Sequence, residues 1–306
     1  TRCRSPTGTS RPRRSRRRDS SATTAAAMAP TKRITSASVL DEVASSRAAS
    51  LRSLATAISS VAASTDAVWD RDVTVTSAAA AHAVPVAEYT VAAIPLANKG
   101  VFSFAARERD PGANVTIDPT RIGNVGRRVG LVGASHVGRL VIDLLRPYDL
   151  ELAVADPYLS DADAAELGVT RMELDDLCAW AELLSLHAPE VEATRKMIGA
   201  AQLAALSDGA TVLNTARGGL IDEEALISEL STGRISAVLD VTAEEPTPAD
   251  SPLRTLPNVF LTPHVAGAAG TEMARLAELA VCEVERWTRG EPPLYPVTAA
   301  DMDRIA

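Results

Sequence analysis

Residues 129–158 read VGLVGASHVGRLVIDLLRPYDLELAVADPY, and the rest of the chain is organised around them. Residues 129–132 are a short apolar run, the pattern of a strand buried on both faces. Gly133, Ala134, Ser135, His136, Val137 and Gly138 follow at once. Val137, Leu140, Val141 and Leu144 then recur at helical spacing, and residues 150–155 form a second apolar run ending at Asp156. The spacing predicts strand, tight turn, helix, strand and acid. That arrangement suits a dinucleotide. A glycine turn lets backbone N–H groups and a helix N-terminus reach a pyrophosphate, and the acid accepts hydrogen bonds from a ribose diol.

The turn departs from the G-x-G-x-x-G pattern at its middle, where Ser135 stands. By itself such a turn is a weak signal. The flanking elements carry the reading, together with Asp156, 23 positions after Gly133. The competing account of Asp156 is a turn residue before Pro157. An acid in this place favours NAD over NADP, because it repels a 2′-phosphate. The expected cofactor is therefore NAD, held by Gly133, Ser135, His136, Val137, Gly138 and Asp156.

The alternation continues downstream. Helices are predicted at 162–167, 174–182, 222–230 and 271–287, with an amphipathic stretch at 192–206. Strands are predicted at 183–187, 210–214, 235–241 and 258–262. Upstream, residues 72–77 alternate like a strand, 84–97 read as an apolar helix with Pro85 near its start, and 100–128 as a long polar connection. Strands alternating with helices imply an α/β fold, a doubly wound parallel sheet covered on both faces.

With 306 residues, 46% of them hydrophobic and 3% aromatic, the chain can bury a sizeable, mostly aliphatic core in one or two domains. No uninterrupted apolar run is long enough to span a membrane. Cys3, Cys178 and Cys282 are far apart and odd in number; they suggest neither a disulfide framework nor a zinc site, and a reducing, cytoplasmic setting is the expectation. The net charge of −8 is uneven: residues 1–40 hold ten Lys/Arg against one acid, Asp19, so the remainder carries −17. The body is acidic, and nothing in it suggests nucleic-acid binding. Residues 1–68 are rich in Ser, Ala, Thr and Arg without a strand period, and are expected to form an arm that does not fold alone. Three readings of this arm stay open: a transit peptide, a basic nucleic-acid-binding tail, and an upstream extension or wrong reading frame. The abrupt start of pattern near Trp69 favours the last.

Ligands of such sheets bind beyond the carboxyl ends of the strands. His187 and Pro189 follow the third strand of the series that starts at 129; Thr215, Ala216 and Arg217 follow the fourth. Asp240 lies near the end of the fifth, with Glu244 and Glu245 beyond it, and His264 follows the sixth. Arg217, Glu245 and His264 thus share one rim. A guanidinium can hold a carboxylate bidentately. An imidazole can pass the proton that accompanies a hydride, and a carboxylate can orient that imidazole. These are parts for hydride transfer on a carbonyl beside a carboxylate. Each also has a plainer reading: a surface ion pair, a solvated loop acid, a satisfied loop histidine. His136 offers its backbone N–H to phosphate, and His82 has no role in this reading.

Five blocks resemble the D-isomer-specific 2-hydroxyacid dehydrogenase family: VGLVGASHVGR, LLSLHAPEVEATRKMIG, TVLNTARGGLIDEEAL, AVLDVTAEEP and NVFLTPHVAG. The resemblance runs from about residue 69 to 306. It implies a doubly wound (Rossmann) NAD domain, a smaller flavodoxin-like substrate domain and a homodimer built on the NAD domains. It implies catalytic roles for Arg217, Glu245 and His264. Cofactor contacts are implied at His136, Val137, His187, Pro189, Thr194, Thr215, Ala216, Arg217, Asp240, His264 and Gly267. The implied reaction is hydride exchange between NAD(H) and a small 2-hydroxy or 2-keto acid, with no metal and no nucleic-acid or membrane partner. Three departures stand out. Ser135 replaces a glycine, Thr242 stands where the block commonly has Phe, and residues 1–68 lack the family's first-domain strands and glycine loop. The expected organisation is an aberrant arm at 1–68, a remnant of the substrate domain at 69–84 and 284–306, and an incomplete cleft around an NAD domain at 85–283. The alternative is a non-catalytic NAD-binding or interaction protein with a truncated substrate half.

Overall fold

The computed structural model describes Trp69 and residues 73–301. The readings of residues 1–68 lie outside the described residues. Nine strands are described: β1 (Val75–Thr76), β2 (Arg127–Val132), β3 (Leu150–Ala155), β4 (Thr170–Arg171), β5 (Leu183–Leu186), β6 (Thr211–Asn214), β7 (Ser236–Leu239), β8 (Val259–Leu261) and β9 (Pro296–Val297). Eight α-helices alternate with them: α1 (Ala79–Asn98), α2 (Val101–Arg109), α3 (His136–Leu145), α4 (Asp161–Leu167), α5 (Leu174–Trp180), α6 (Ala200–Ala205), α7 (Glu223–Ser231) and α8 (Met273–Thr288).

Seven strands make one parallel sheet in the order β4-β3-β2-β5-β6-β7-β8. The chain winds outward from β2 to β4, returns to β5 beside β2, and winds outward the other way. Val132 at the end of β2 pairs with both Ala155 and Leu186, so the strands on either side of the reversal end level with one another. This is the doubly wound Rossmann arrangement, with a crevice at the reversal. β1 and β9 form a separate antiparallel pair.

Both faces of the central strands β5, β6 and β7 are covered, which is why they read as largely apolar runs. Val129, Leu131, Leu183, Leu213 and Val238 face α1, α3 and α4, where Ile94, Val141, Ile142 and Leu145 are buried. Val132, Leu184, Leu186, Val212 and Leu239 face α5, α6 and α7, where Leu177, Leu203, Leu226 and Leu230 are buried. Each fully buried aliphatic side chain contributes about 1.5–3 kcal/mol of transfer free energy. Both layers therefore anchor the strands that form the sheet's carboxyl edge.

Several expected elements change. α1 begins at Ala79 rather than 84, so Pro85 and Pro95 lie inside it. Tertiary burial of Ala81, Ala83, Val86, Ala87 and Ile94 outweighs the helix-breaking cost of proline. By length and composition this 20-residue helix could cross a membrane, although His82 and Glu88 interrupt its apolar run; here it packs as a core helix against α3. Residues 100–128 are not one connection: α2 occupies their start, with Phe102 stacked 4.5 Å from Phe260. The stretch 192–206 is broken into a 3-10 turn at Glu192–Thr194 and the short α6, because Ile198 leaves the helix to bridge Ile221. An additional edge strand, β4, brings the main sheet to seven. The boundaries expected at 84/85 and 283/284 fall inside α1 and α8.

Candidate active site

The glycine turn after β2 is close-packed. Gly133 has φ +99°, and a Cβ there would sit 2.7 Å from the Ala188 nitrogen. A Cβ on Gly138 would sit 2.2 Å from the Gly133 carbonyl oxygen. Neither position accepts a side chain. The middle position does. Ser135 has φ −65° and ψ −177°, extended backbone open to any residue, and its Oγ caps α3 by accepting from the Gly138 N–H at 3.4 Å. The departure from the glycine pattern is thus an N-cap. The first N–H groups of α3 have no partner within their own helix, and the helix dipole adds partial positive charge there.

Asp156 accepts from the Ala134 N–H at 2.7 Å through Oδ2 and from the Tyr158 N–H at 2.8 Å through Oδ1. The carboxylate staples the turn to the end of β3, and each oxygen keeps a lone pair for a further donor. His187, at the end of β5, is buried; its Nε2 bonds Ser185 Oγ at 2.9 Å, and its Nδ1 has no partner among the described residues. Burial drives its pKa down to about 3, so the ring is neutral.

On the far side, Arg217 follows β6. The buried Asn214 shapes its loop by donating to the Arg217 carbonyl at 2.9 Å and accepting from the Ala216 N–H at 3.0 Å. Arg217 donates to the Ala216 carbonyl through Nη1 at 2.8 Å, leaving the rest of its fork for a ligand. His264 follows β8 and holds φ +55°, the left-handed region that costs a non-glycine residue about 1–2 kcal/mol. Asp240, 2% exposed, offsets that strain. Its carbonyl accepts from the His264 N–H, and its carboxylate accepts from the Val265 and Ala266 N–H groups, all at 2.8 Å, and from Thr262 Oγ1 at 2.6 Å. The loop so held presents His264 with Nδ1 2.6 Å from Glu245 Oε2. Thr242 Oγ1 donates to the Glu244 carbonyl at 2.7 Å, shaping the loop that carries Glu245.

α1 closes the site. Thr90 Oγ1 bonds Thr215 Oγ1 at 2.9 Å, and Tyr89 bonds Thr262 Oγ1 at 2.8 Å. His82, one turn into this helix, lies against Gly267, where a Cβ would come within 2.8 Å of the imidazole Cε1. The cleft is lined by Ser135, His136, Val137, His187, Pro189, Thr215, Ala216, Arg217, His264 and Gly267 from the sequence reading, and by His82, Ala83 and Val86 from α1. All four histidines of the chain face this one space, and none of its lining residues is acidic. Glu245 and Asp240 line an adjoining cavity that shares His264 as its wall. Gly133, Gly138, Asp156 and Thr194 do not line the cleft: the two glycines pack the turn against His187 and Ala188, Asp156 ties that turn to the end of β3, and the Thr194 hydroxyl donates to the Pro189 carbonyl at 2.6 Å. The sequence reading gave His82 no role and did not single out Asn214. Asn214 had a signal in its place between a strand and Arg217; His82 had none.

The residues fit a dinucleotide on three observations. The turn has a backbone cradle that a Cβ would fill, α3 aims its N-terminus at the cleft, and the buried His187 Nδ1 lacks a partner.

Residues 113–266 match the family described as D-isomer specific 2-hydroxyacid dehydrogenase, NAD binding domain. D-3-phosphoglycerate dehydrogenase of Mycobacterium bovis is 35% identical over 225 residues, 71% of this chain and 42% of that protein. Glyoxylate reductase of Korarchaeum cryptofilum is 36% identical over 169 residues, 55% of this chain and 51% of that protein. The chain therefore spans about half or less of these relatives' length. The crystal structure of D-lactate dehydrogenase with NAD+ from Lactobacillus jensenii superposes with a TM-score of 0.68 at 26% identity, covering 79% of this chain and 77% of that one.

Proposed function

The chain belongs to the D-isomer specific 2-hydroxyacid dehydrogenase family, and on that premise we propose that it is an NAD-linked oxidoreductase of small 2-hydroxy and 2-keto acids. The observation that carries the reading is the 2.6 Å pair of His264 and Glu245 at the wall of a cleft shared with Arg217. NAD, when bound, supplies or takes the hydride at the substrate's C2. Ser135, His136 and Val137 hold its pyrophosphate, Asp156 its ribose diol, and His187, Thr215, Ala216 and Gly267 wall the remainder. Arg217 holds the substrate carboxylate with its planar fork. His264 gives a proton to the C2 oxygen as a keto acid is reduced and takes it back as a hydroxy acid is oxidised. Glu245 accepts from Nδ1, which leaves Nε2 to face the substrate. Asp240 acts through the loop it clamps.

Exposed Leu96, Val101 and Phe104 on α1 and α2, each more than 40% exposed, support a homodimer through this domain. The cytoplasmic setting is carried over from the sequence reading. The test is NADH fluorescence titration of the full chain, followed by turnover of glyoxylate, pyruvate and hydroxypyruvate with NADH. Saturable NADH binding with turnover of one of these acids is expected. NADH binding with no turnover across the panel points instead to a non-catalytic NAD-binding protein.

A further inference from the structure

The body of this chain is strongly acidic, yet the cleft at its centre carries no acid among its lining residues and collects Arg217 and every histidine. Three of the histidines have stated positions in the reading above: His136 at the helix N-terminus, His187 buried under the turn and His264 paired with Glu245. His82 is left over. It comes from a different element, α1, and its ring lies on the backbone of Gly267, three residues beyond His264. The helix that carries it is tied to both catalytic loops, by Thr90 to the Arg217 loop and by Tyr89 to the His264 loop. Its place is therefore set by the same contacts that set the site.

We infer that His82 is a second substrate-anion contact opposite Arg217, and that it takes up a proton as an anionic substrate docks. The inference rests on the 2-hydroxyacid reading of the cleft and adds to it a substrate-binding residue and a proton-linked affinity.

The groups facing His82 set the sign. Burial, Arg217 after β6 and His264 after β8 all disfavour its charged form, and Glu272, just ahead of α8, only partly offsets them. Its pKa in the free protein therefore lies below the usual imidazole value, and the ring is mostly neutral at neutral pH. A carboxylate brought between His82 and Arg217 cancels the Arg217 repulsion and adds an attraction of its own. The bound-state pKa rises, so affinity tightens as pH falls from the bound value to the free value, and levels off below the free value. Anions carrying a second negative group gain most, because Arg217 and His82⁺ can then be matched by two charges.

The test uses oxalate, a small dianion that cannot be reduced at this site, with the full chain in the presence of NADH. The chain has only four histidines, so labelled imidazole resonances can be assigned by single substitution. Oxalate is expected to raise the titration midpoint of His82 by about one pH unit or more. In wild type, oxalate Kd then tightens with falling pH. In His82→Asn, which keeps a hydrogen-bond donor but cannot titrate, the slope of log Kd against pH is shallower by up to about one. If oxalate moves the His264 resonance but leaves His82 unmoved, or if His82→Asn keeps the wild-type slope, the inference is overturned and the dehydrogenase reading stands. If oxalate moves neither ring, both fall together.

Discussion

The two edges of the parallel sheet both gather cations, and they use them in opposite ways. At the amino edge, Arg121, Arg127 and Arg128 converge on one carboxylate, Glu182, whose side chain is 11% exposed. Arg121 reaches it at 2.6 Å and Arg127 at 3.1 Å, and the Arg128 N–H donates to its other oxygen at 3.2 Å. At the carboxyl edge, Arg217 spends one donor on its own loop, and the histidines stand around open space. The first arrangement saturates an acid and fixes where β2 and β5 begin. The second leaves donors for something that arrives. Charge that is already answered by the chain is structural, and charge left unanswered in a concave site marks function.

The sharpest way to break this contrast is at His264. His264→Ala is expected to lower turnover of a 2-keto acid by about 10²–10⁴ while NADH affinity holds within a few-fold. Near-normal turnover would put His264 on the structural side of the comparison.

Next in size is Glu182→Ala, which leaves three arginines facing one another in a partly buried place. Removing one partner of a buried ionic cluster costs about 3–5 kcal/mol, read as a lower denaturant midpoint. NADH affinity of the folded fraction should not change. A shift in NADH affinity as large as the stability loss would show that the two edges are not independent.

Smaller again is Asp156→Ala, expected to weaken NADH by about 1–3 kcal/mol, the range for hydrogen bonds to a charged group. NADPH should lose less or gain, since the repulsion of a 2′-phosphate goes with the acid. The Ala134 N–H also loses its acceptor, a loss common to both cofactors. Equal loss for both, by fluorescence titration, would reduce Asp156 to a turn staple.

The smallest effect at neutral pH, and the one that separates the edges by acid, is His187→Gln. Burial holds the folded His187 at about 3 against an ordinary 6.5, so the unfolded chain binds its proton first. Stability from this source is complete above 6.5 and is lost as pH falls toward about 3. Glu182 acts lower. Burial alone would raise its pKa, but the bond from Arg121, the Arg128 N–H and the charges of Arg127 and Arg121 outweigh burial and hold it below the ordinary 4.5. Its contribution is present above 4.5 and is lost as pH falls through the depressed value. Denaturation curves of His187→Gln should therefore be flatter than wild type between about pH 6.5 and pH 4.5 and parallel to it below about pH 3. A wild-type slope in the upper window would mean that His187 is not held neutral.

Much of this was legible in the chain. Residues 150–155 form β3 as expected, because its second half, Ala153, Val154 and Ala155, is apolar and buried and fixes the strand whatever its exposed start carries. The helix expected at 222–230 is α7, because Asp222 caps it and Glu223 and Glu224 place acid in its first turn. Arg217, Glu245 and His264 are legible because each follows a strand at the edge where such sheets bind ligands. α2 was not legible, since it has no buried residue and hence no apolar stripe. The break at Ile198 was not either, because a bridge to Ile221 outbids local helical spacing and no local pattern reports a distant partner. Ser135 reads in sequence as a defect and in space as a cap, since only the backbone angles tell which glycines the turn requires.

By itself the sequence determined the βαβ unit, the doubly wound class, the family and the strand-end positions of Arg217, Glu245 and His264, all properties that short-range periodicity and motif spacing carry. The tertiary structure alone decided that α1 closes the site, that His82 stands with Arg217 and His264, and that Asp240 holds His264 at a left-handed angle. The physical reason is range. Periodicity is enforced by neighbours a few residues apart, whereas His82 meets Gly267 and Thr90 meets Thr215 only after the sheet has ordered its strands and α1 has packed on them.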